Sequence, residues 1–180
     1  MSLDLQQNYF ELFGLPVSFE IDARALHDAQ RRLQSQFHPD RVAGGSDQQK
    51  RLAVQQAAWI NEAYQTLQDP VKRARYMLGL KGLDMNDEHE TTGDTAFLME
   101  QIELREEMEQ CQSCQDPLRC CDHITGKLDQ RSKEYAAEFQ RLYDAGDYEA
   151  ARQIIKKMQF ISRILEQIDE YQMKLEEDLL

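Results

Sequence analysis

Proline is scarce in this chain, with four in 180 residues. Helices accept proline only in their first turn, so its scarcity leaves long segments free to be helical. Long apolar runs are missing too. No stretch approaches the roughly 20 residues that a bilayer-spanning helix needs. The opening MSLDLQQNYF has neither the basic nor the apolar region of a secretory signal. A cytoplasmic location is therefore expected, with its cysteines reduced. There is no basic surplus: 21 Lys and Arg face 33 Asp and Glu, a net charge of −12. Phosphate backbones and anionic headgroups would be repelled, which argues against nucleic-acid and membrane partners. The chain also lacks a glycine-rich phosphate loop, and no nucleophile stands near His38. Neither a catalytic site nor a cofactor is expected.

The charge that is present is unevenly placed. Residues 1–80 carry 9 basic and 9 acidic side chains, whereas residues 81–180 carry 12 and 24. Halves of different charge suggest modules with different partners. Between them, residues 81–93 (KGLDMNDEHETTG) are polar, acidic and glycine-flanked, the composition of a linker. The expected organisation is a first domain over 1–80, a linker over 81–93 and a second domain over 94–180.

In the first domain Tyr9, Phe10, Leu12 and Phe13 form a short helical cluster closed by Gly14 and Pro16. Asp22 is a plausible N-cap. Beyond it Leu26, Ala29, Leu33 and Phe37 recur at helical spacing, with Arg24, Arg31 and Ser35 on the opposite face. Pro39 ends that helix, because its ring biases His38 away from helical angles. A polar turn runs from Arg41 to Ser46, and Asp47 can cap a third helix. Ala53, Gln56, Ala57, Ile60, Ala63, Tyr64 and Leu67 give that helix its core stripe. Asp69-Pro70 breaks it, and Val71 to Leu80 reads as a fourth short helix ending at Gly79 and Gly82.

The second domain shows no strand-like alternation. Asp94 or Thr95 can cap a helix to about Met108, a second helix spans about Leu118 to Tyr143, and a third runs from Tyr148 to near the C-terminus. In the third, Ile154, Met158, Ile161, Leu165, Ile168, Leu175 and Leu179 alternate steps of four and three, with Gln172 filling one slot. Three helices joined by short turns predict an antiparallel bundle. The fold class is all-α.

The tripeptide His38-Pro39-Asp40 sits between two helices, at the end of a basic amphipathic one. Taken alone it also reads as a plain helix stop. In this position it resembles a J-domain, a helical hairpin with flanking short helices. The opening Tyr9-Phe10-Glu11-Leu12-Phe13-Gly14-Leu15-Pro16 and the later segment from Asp94 to Glu107 are similar to the HscB family, the dedicated J-proteins of bacterial iron–sulfur cluster assembly. The resemblance implies a co-chaperone that binds a DnaK-class ATPase of the HscA type and stimulates its hydrolysis. It places His38, Pro39 and Asp40 at that contact, with Arg24, Arg31 and Arg41 beside them. Arg24 and Arg31 can steer toward an acidic surface; an ordinary solvated face is the other explanation for them.

A helical projection of the segment after Asp94 puts Phe97, Gln101, Leu104, Met108 and Cys111 on one line, enough for one bundle seam. Leu98, Met99 and Ile102 fall off that line, beside Glu103, Glu106 and Gln110. Surplus apolar residues ringed by carboxylates suggest an exposed binding patch. Packing against the first domain or a wider core would also account for them. In the family resembled, positions matching Leu98, Met99, Ile102, Glu103, Glu106 and Phe160 bind the scaffold protein IscU. A monomer or weak oligomer is expected.

Cys111, Cys114, Cys120 and Cys121 follow the pattern C-x2-C-x5-C-C. Four thiolates could complete a zinc tetrahedron, but adjacent cysteines chelate one ion awkwardly. They stand as weak metal candidates, with helix-end packing of reduced thiols as the simpler account. Two further alternatives follow: a metal- or redox-responsive helical protein built on these cysteines, or a general J-protein with broad clients.

Overall fold

A computed structural model describes residues 3, 4, 6–42, 44–83 and 94–178. Most of the expected linker, residues 84–93, lies outside the described residues. Every regular element among the described residues is helical. The chain divides into two compact units, Met1–Gly82 and Leu83–Leu180.

In the first unit, helix α1 spans Tyr9–Phe13 between an Asn8–Glu11 capping box and Gly14. Gly14 adopts φ 69°, the left-handed angle that glycine takes at no steric cost. Helix α2 spans Ala23–Gln36, and Asp22 Oδ1 accepts the backbone N–H of Arg24 and Ala25 at 2.9 and 3.1 Å. A 3-10 turn over Pro39–Val42 follows. Helix α3 covers Asp47–Gln68, and its cap is Ser46 rather than Asp47. Ser46 holds the extended angles a cap requires, and it exchanges hydrogen bonds with Gln49 at 3.3 and 2.8 Å. Asp47 instead places its charge in the positive first turn. Helix α4 is Pro70–Gly79 and starts at the proline, whose missing N–H has no use there.

These helices close over Phe10, Leu26, Ile60, Ala63, Leu67, Ala74, Met77 and Leu78, none more than 2% exposed. Tyr9 stacks on Tyr76 at 4.3 Å and meets the edge of Trp59 at 5.0 Å. Near the far end of the hairpin, Gln34 Nε2 donates to Asn61 Oδ1 at 2.9 Å and ties α2 to α3 beside the turn.

The second unit holds α5 (Thr95–Gln112), α6 (Pro117–Asp144) and α7 (Tyr148–Asp178). Helix α5 runs a turn beyond the expected end at Met108, because Cys111 is buried and fastens that last turn. Gly146, at φ 76°, makes the sharp turn between α6 and α7. The buried line on α7 is Ala151, Ile155, Met158, Ile161, Ile164 and Ile168. Ile154 and Leu165, expected on the seam, are only half-buried. Steps averaging below 3.6 make the buried line slant around the helix. Leu179 lies outside the described residues.

Burial, reinforced by Glu62, pushes the Tyr9 hydroxyl up from 10.0 to about 12. Burial, reinforced by Glu100, does the same to Tyr135. The folded chain therefore keeps protons that the unfolded chain releases. Stability is expected to be full below pH ~10 and to fall as the pH rises toward ~12, by up to ~1.4 kcal/mol per pH unit per tyrosine. Denaturant midpoints measured from pH 9 to 12 check this. A flat profile would contradict it.

Candidate functional site

The first candidate face is built by the end of α2 and the 3-10 turn. Leu26 and Ala29 anchor α2 in the core, which turns Arg24, Arg31 and Ser35 outward; all three are exposed. The helix stops at Phe37, and Pro39 starts the turn. Asp40 N–H donates to His38 Nδ1 at 3.2 Å, while Asp40 Oδ2 lies 3.5 Å from the same nitrogen. In a neutral imidazole the shorter contact makes Nδ1 an acceptor, so the ring proton sits on Nε2. The Asp40 carboxylate is then presented outward, its side chain 89% exposed.

From the 3-10 turn, Arg41 reaches back to the end of α2. Its Nη1 donates to the Ser35 carbonyl at 3.0 Å and reaches the Gln36 carbonyl at 3.5 Å. These carbonyls carry the negative end of the helix dipole. Arg41 thus fixes the angle at which the turn leaves α2. A shallow depression is lined by Asp28, Arg31, Arg32, Ser35, Gln36 and Arg41. Sequence reasoning did not single out Arg32, although it neighbours Arg31; Asp28 dilutes the charge of the face.

The second candidate face lies on α5. Phe97 and Cys111 are buried, and Gln101, Leu104 and Met108 are half-buried on the same line. Leu98, Met99 and Ile102 are 40%, 53% and 49% exposed, and Glu103 and Glu106 are exposed beside them. Phe160, on α7, is half-buried and meets the buried Phe97 edge-to-face at 5.6 Å. The α5 N-terminus is capped by Asp94, which accepts the Phe97 N–H at 3.1 Å and pairs with Lys157 at 2.7 Å. That hydrogen bond to Lys157 holds the Asp94 carboxyl below its usual value.

All four cysteines are free thiols: Cys111 and Cys121 buried, Cys120 half-buried, Cys114 exposed. Burial raises the Cys111 and Cys121 thiols, while hydrogen bonding to Cys111 leads in pushing Cys120 up to about 12. Without a metal ion to lower them, all three are expected to be protonated thiols at neutral pH. Among the described residues, no group of three or more His, Cys, Asp or Glu is arranged to hold a metal ion. Among the same residues, no helix is long and apolar enough to cross a membrane.

Comparison with known proteins covers both units. A DnaJ-domain model matches residues 8–76, and a model described as the HSCB C-terminal oligomerisation domain matches residues 93–169. The chain is 44% identical over 173 residues to a co-chaperone protein HscB homolog of Vibrio cholerae, covering 96% of this chain and 99% of that one. Its fold is similar to the solved chaperone HscB from Vibrio cholerae, with a TM-score of 0.84, 42% identity, and coverage of 97% of this chain and 100% of the other. It is also similar to the crystal structure of human co-chaperone protein HscB, with a TM-score of 0.87, 26% identity, and coverage of 96% and 85%. With a J-domain in one unit and the family's own C-terminal domain in the other, the chain belongs to the HscB family of J-protein co-chaperones.

Proposed function

We propose that this co-chaperone stimulates ATP hydrolysis by an HscA-type, DnaK-class chaperone and delivers an IscU-type iron–sulfur scaffold to it. In this reading residues 1–80 face the chaperone, 81–93 link the modules, and 94–180 hold the scaffold. The protein acts in the cytoplasm as a monomer or weak oligomer.

One observation carries the reading. The same chain displays an outward carboxylate at Asp40 and a surplus apolar face on α5. The first suits a partner cation and the second suits an apolar partner surface. His38, Pro39 and Asp40 make the chaperone contact, Arg24 and Arg31 steer toward it, and Arg41 holds the turn in place. Leu98, Met99 and Ile102 form the centre of the scaffold contact, with Glu103, Glu106 and Phe160 at its rim. Carrying both contacts on one chain raises the effective concentration of client at the chaperone.

Single-turnover hydrolysis by the chaperone is expected to speed up about tenfold with this protein, ~1.4 kcal/mol off the barrier, and further when the scaffold is added. Hydrolysis that stays at its basal rate would sink the activation reading. Stimulation by many unfolded proteins, with no preference for the scaffold, would indicate a general J-protein instead.

A further inference from the structure

Among its described side chains, α5 buries only Phe97 and Cys111. Much of its remaining attachment to α6 and α7 is polar. Glu100 accepts hydrogen bonds from Arg131 Nε at 3.0 Å and Tyr135 Oη at 3.1 Å. Glu107 pairs with Lys127 at 3.0 Å. At the N-terminal end the link is Lys157 of α7, whose Nζ lies 2.7 Å from Asp94 Oδ2.

Lys157 does more than close that pair. Its Nζ sits 5.5 Å from the centre of the Phe97 ring and 6.0 Å from that of Tyr135, both within cation–π range. The other carboxylate oxygen of Asp94 caps α5 through the Phe97 N–H. One ammonium therefore engages the cap of α5, its buried aromatic and a ring of α6. Phe97 in turn supports Phe160 edge-to-face, and Leu98 and Met99 are the next two residues in the chain. The side chains of Lys157 and Asp94 are 22% and 38% exposed, so solvent screens the pair in part.

We propose that Lys157 is a positioning residue for client binding. By pairing with Asp94 and lying over Phe97, it fixes the first turns of α5 and thereby the places of Leu98, Met99 and Phe160. The inference rests on the reading that the client docks on this face. Lys157 itself need not touch the client.

The test is scaffold affinity, measured by calorimetry on the full chain for five variants. Lys157→Met keeps the aliphatic stem but loses the charge, and is expected to raise Kd about tenfold. Asp94→Asn keeps a good helix cap and loses the pair, with a similar rise. Because the two act through one contact, the double variant should be no weaker than either single one. Lys157→Arg can still pair with Asp94 and lie over the ring, and should bind nearly as the parent does. Retained affinity in Lys157→Met, or losses that multiply in the double variant, would overturn the inference. Leu98→Ala serves as the reference: if it weakens binding while Lys157→Met does not, positioning alone fails. If Leu98→Ala binds as the parent does, the client face itself falls, and the inference with it.

Discussion

Asp40→Asn is expected to abolish stimulation of the partner ATPase while leaving the fold and scaffold affinity unchanged. The change removes a charge and almost nothing else. Asparagine has the size of aspartate, and the backbone N–H that meets His38 Nδ1 at 3.2 Å is untouched. The Asp40 side chain is 89% exposed and lies in no buried contact, so its replacement falls among surface changes of about ±0.5 kcal/mol. At the partner the arithmetic reverses. Breaking a desolvated, hydrogen-bonded charge pair costs about 2–5 kcal/mol, because the opposite charge is left buried and alone. At ~1.4 kcal/mol per tenfold, even the lower figure removes most of the productive complex at fixed concentration. Single-turnover hydrolysis and scaffold calorimetry should be run on the same preparation. Stimulation near the parent level would remove Asp40 from the mechanism. Loss of stimulation and scaffold binding together would indicate a misfolded chain.

The local geometry behind that expectation could largely be read from the sequence, and the longer-range geometry could not. Pro39 dictates the end of α2 by its ring alone, and the spacing of Leu26 and Ala29 dictates which way Arg24 and Arg31 point. Each is a property of one helix. The cap of α3 required choosing between neighbours with similar propensities, Ser46 and Asp47; backbone angles and the reciprocal Gln49 bond decide it. The inward turn of Arg41 depends on how the 3-10 turn folds back over Ser35 and Gln36, which no residue pattern encodes. On α5 the projection separated Phe97 and Cys111 from Leu98, Met99 and Ile102 because a single helix obeys a fixed angle per residue. On α7 alternating steps of four and three placed Ile154 and Leu165 on the seam, whereas three successive steps of three carry the buried line through Ile155, Met158, Ile161 and Ile164. The contacts of Lys157 with Asp94 and of Phe160 with Phe97 join distant parts of the chain. Only packed helices reveal them.

The exposure of the α5 face sets the second large effect. Replacing Leu98, Met99 and Ile102 together by alanine is expected to weaken scaffold binding by about a hundredfold or more. Each side chain is about half exposed, so an interface can cover roughly half of the ~1.5–3 kcal/mol that full burial of such a side chain contributes. Three losses of ~1 kcal/mol sum to ~3 kcal/mol, a little over two decades in Kd. The same exposure keeps the variant folded, because alanine leaves no cavity where the original side chain faced water and it favours helix. Phe160 is a poorer choice for this test, since it packs on Phe97 and its loss would disturb the bundle. Glu103→Gln with Glu106→Gln should separate the two contributions. Removing rim charge slows association and flattens its salt dependence more than it speeds dissociation, whereas the apolar triple should act chiefly on dissociation. Basal stimulation of the ATPase should survive both sets, as neither touches the His38-Pro39-Asp40 turn. Parent affinity in the triple variant would move the client contact off α5. Loss of basal stimulation with it would mean that the two units do not act separately.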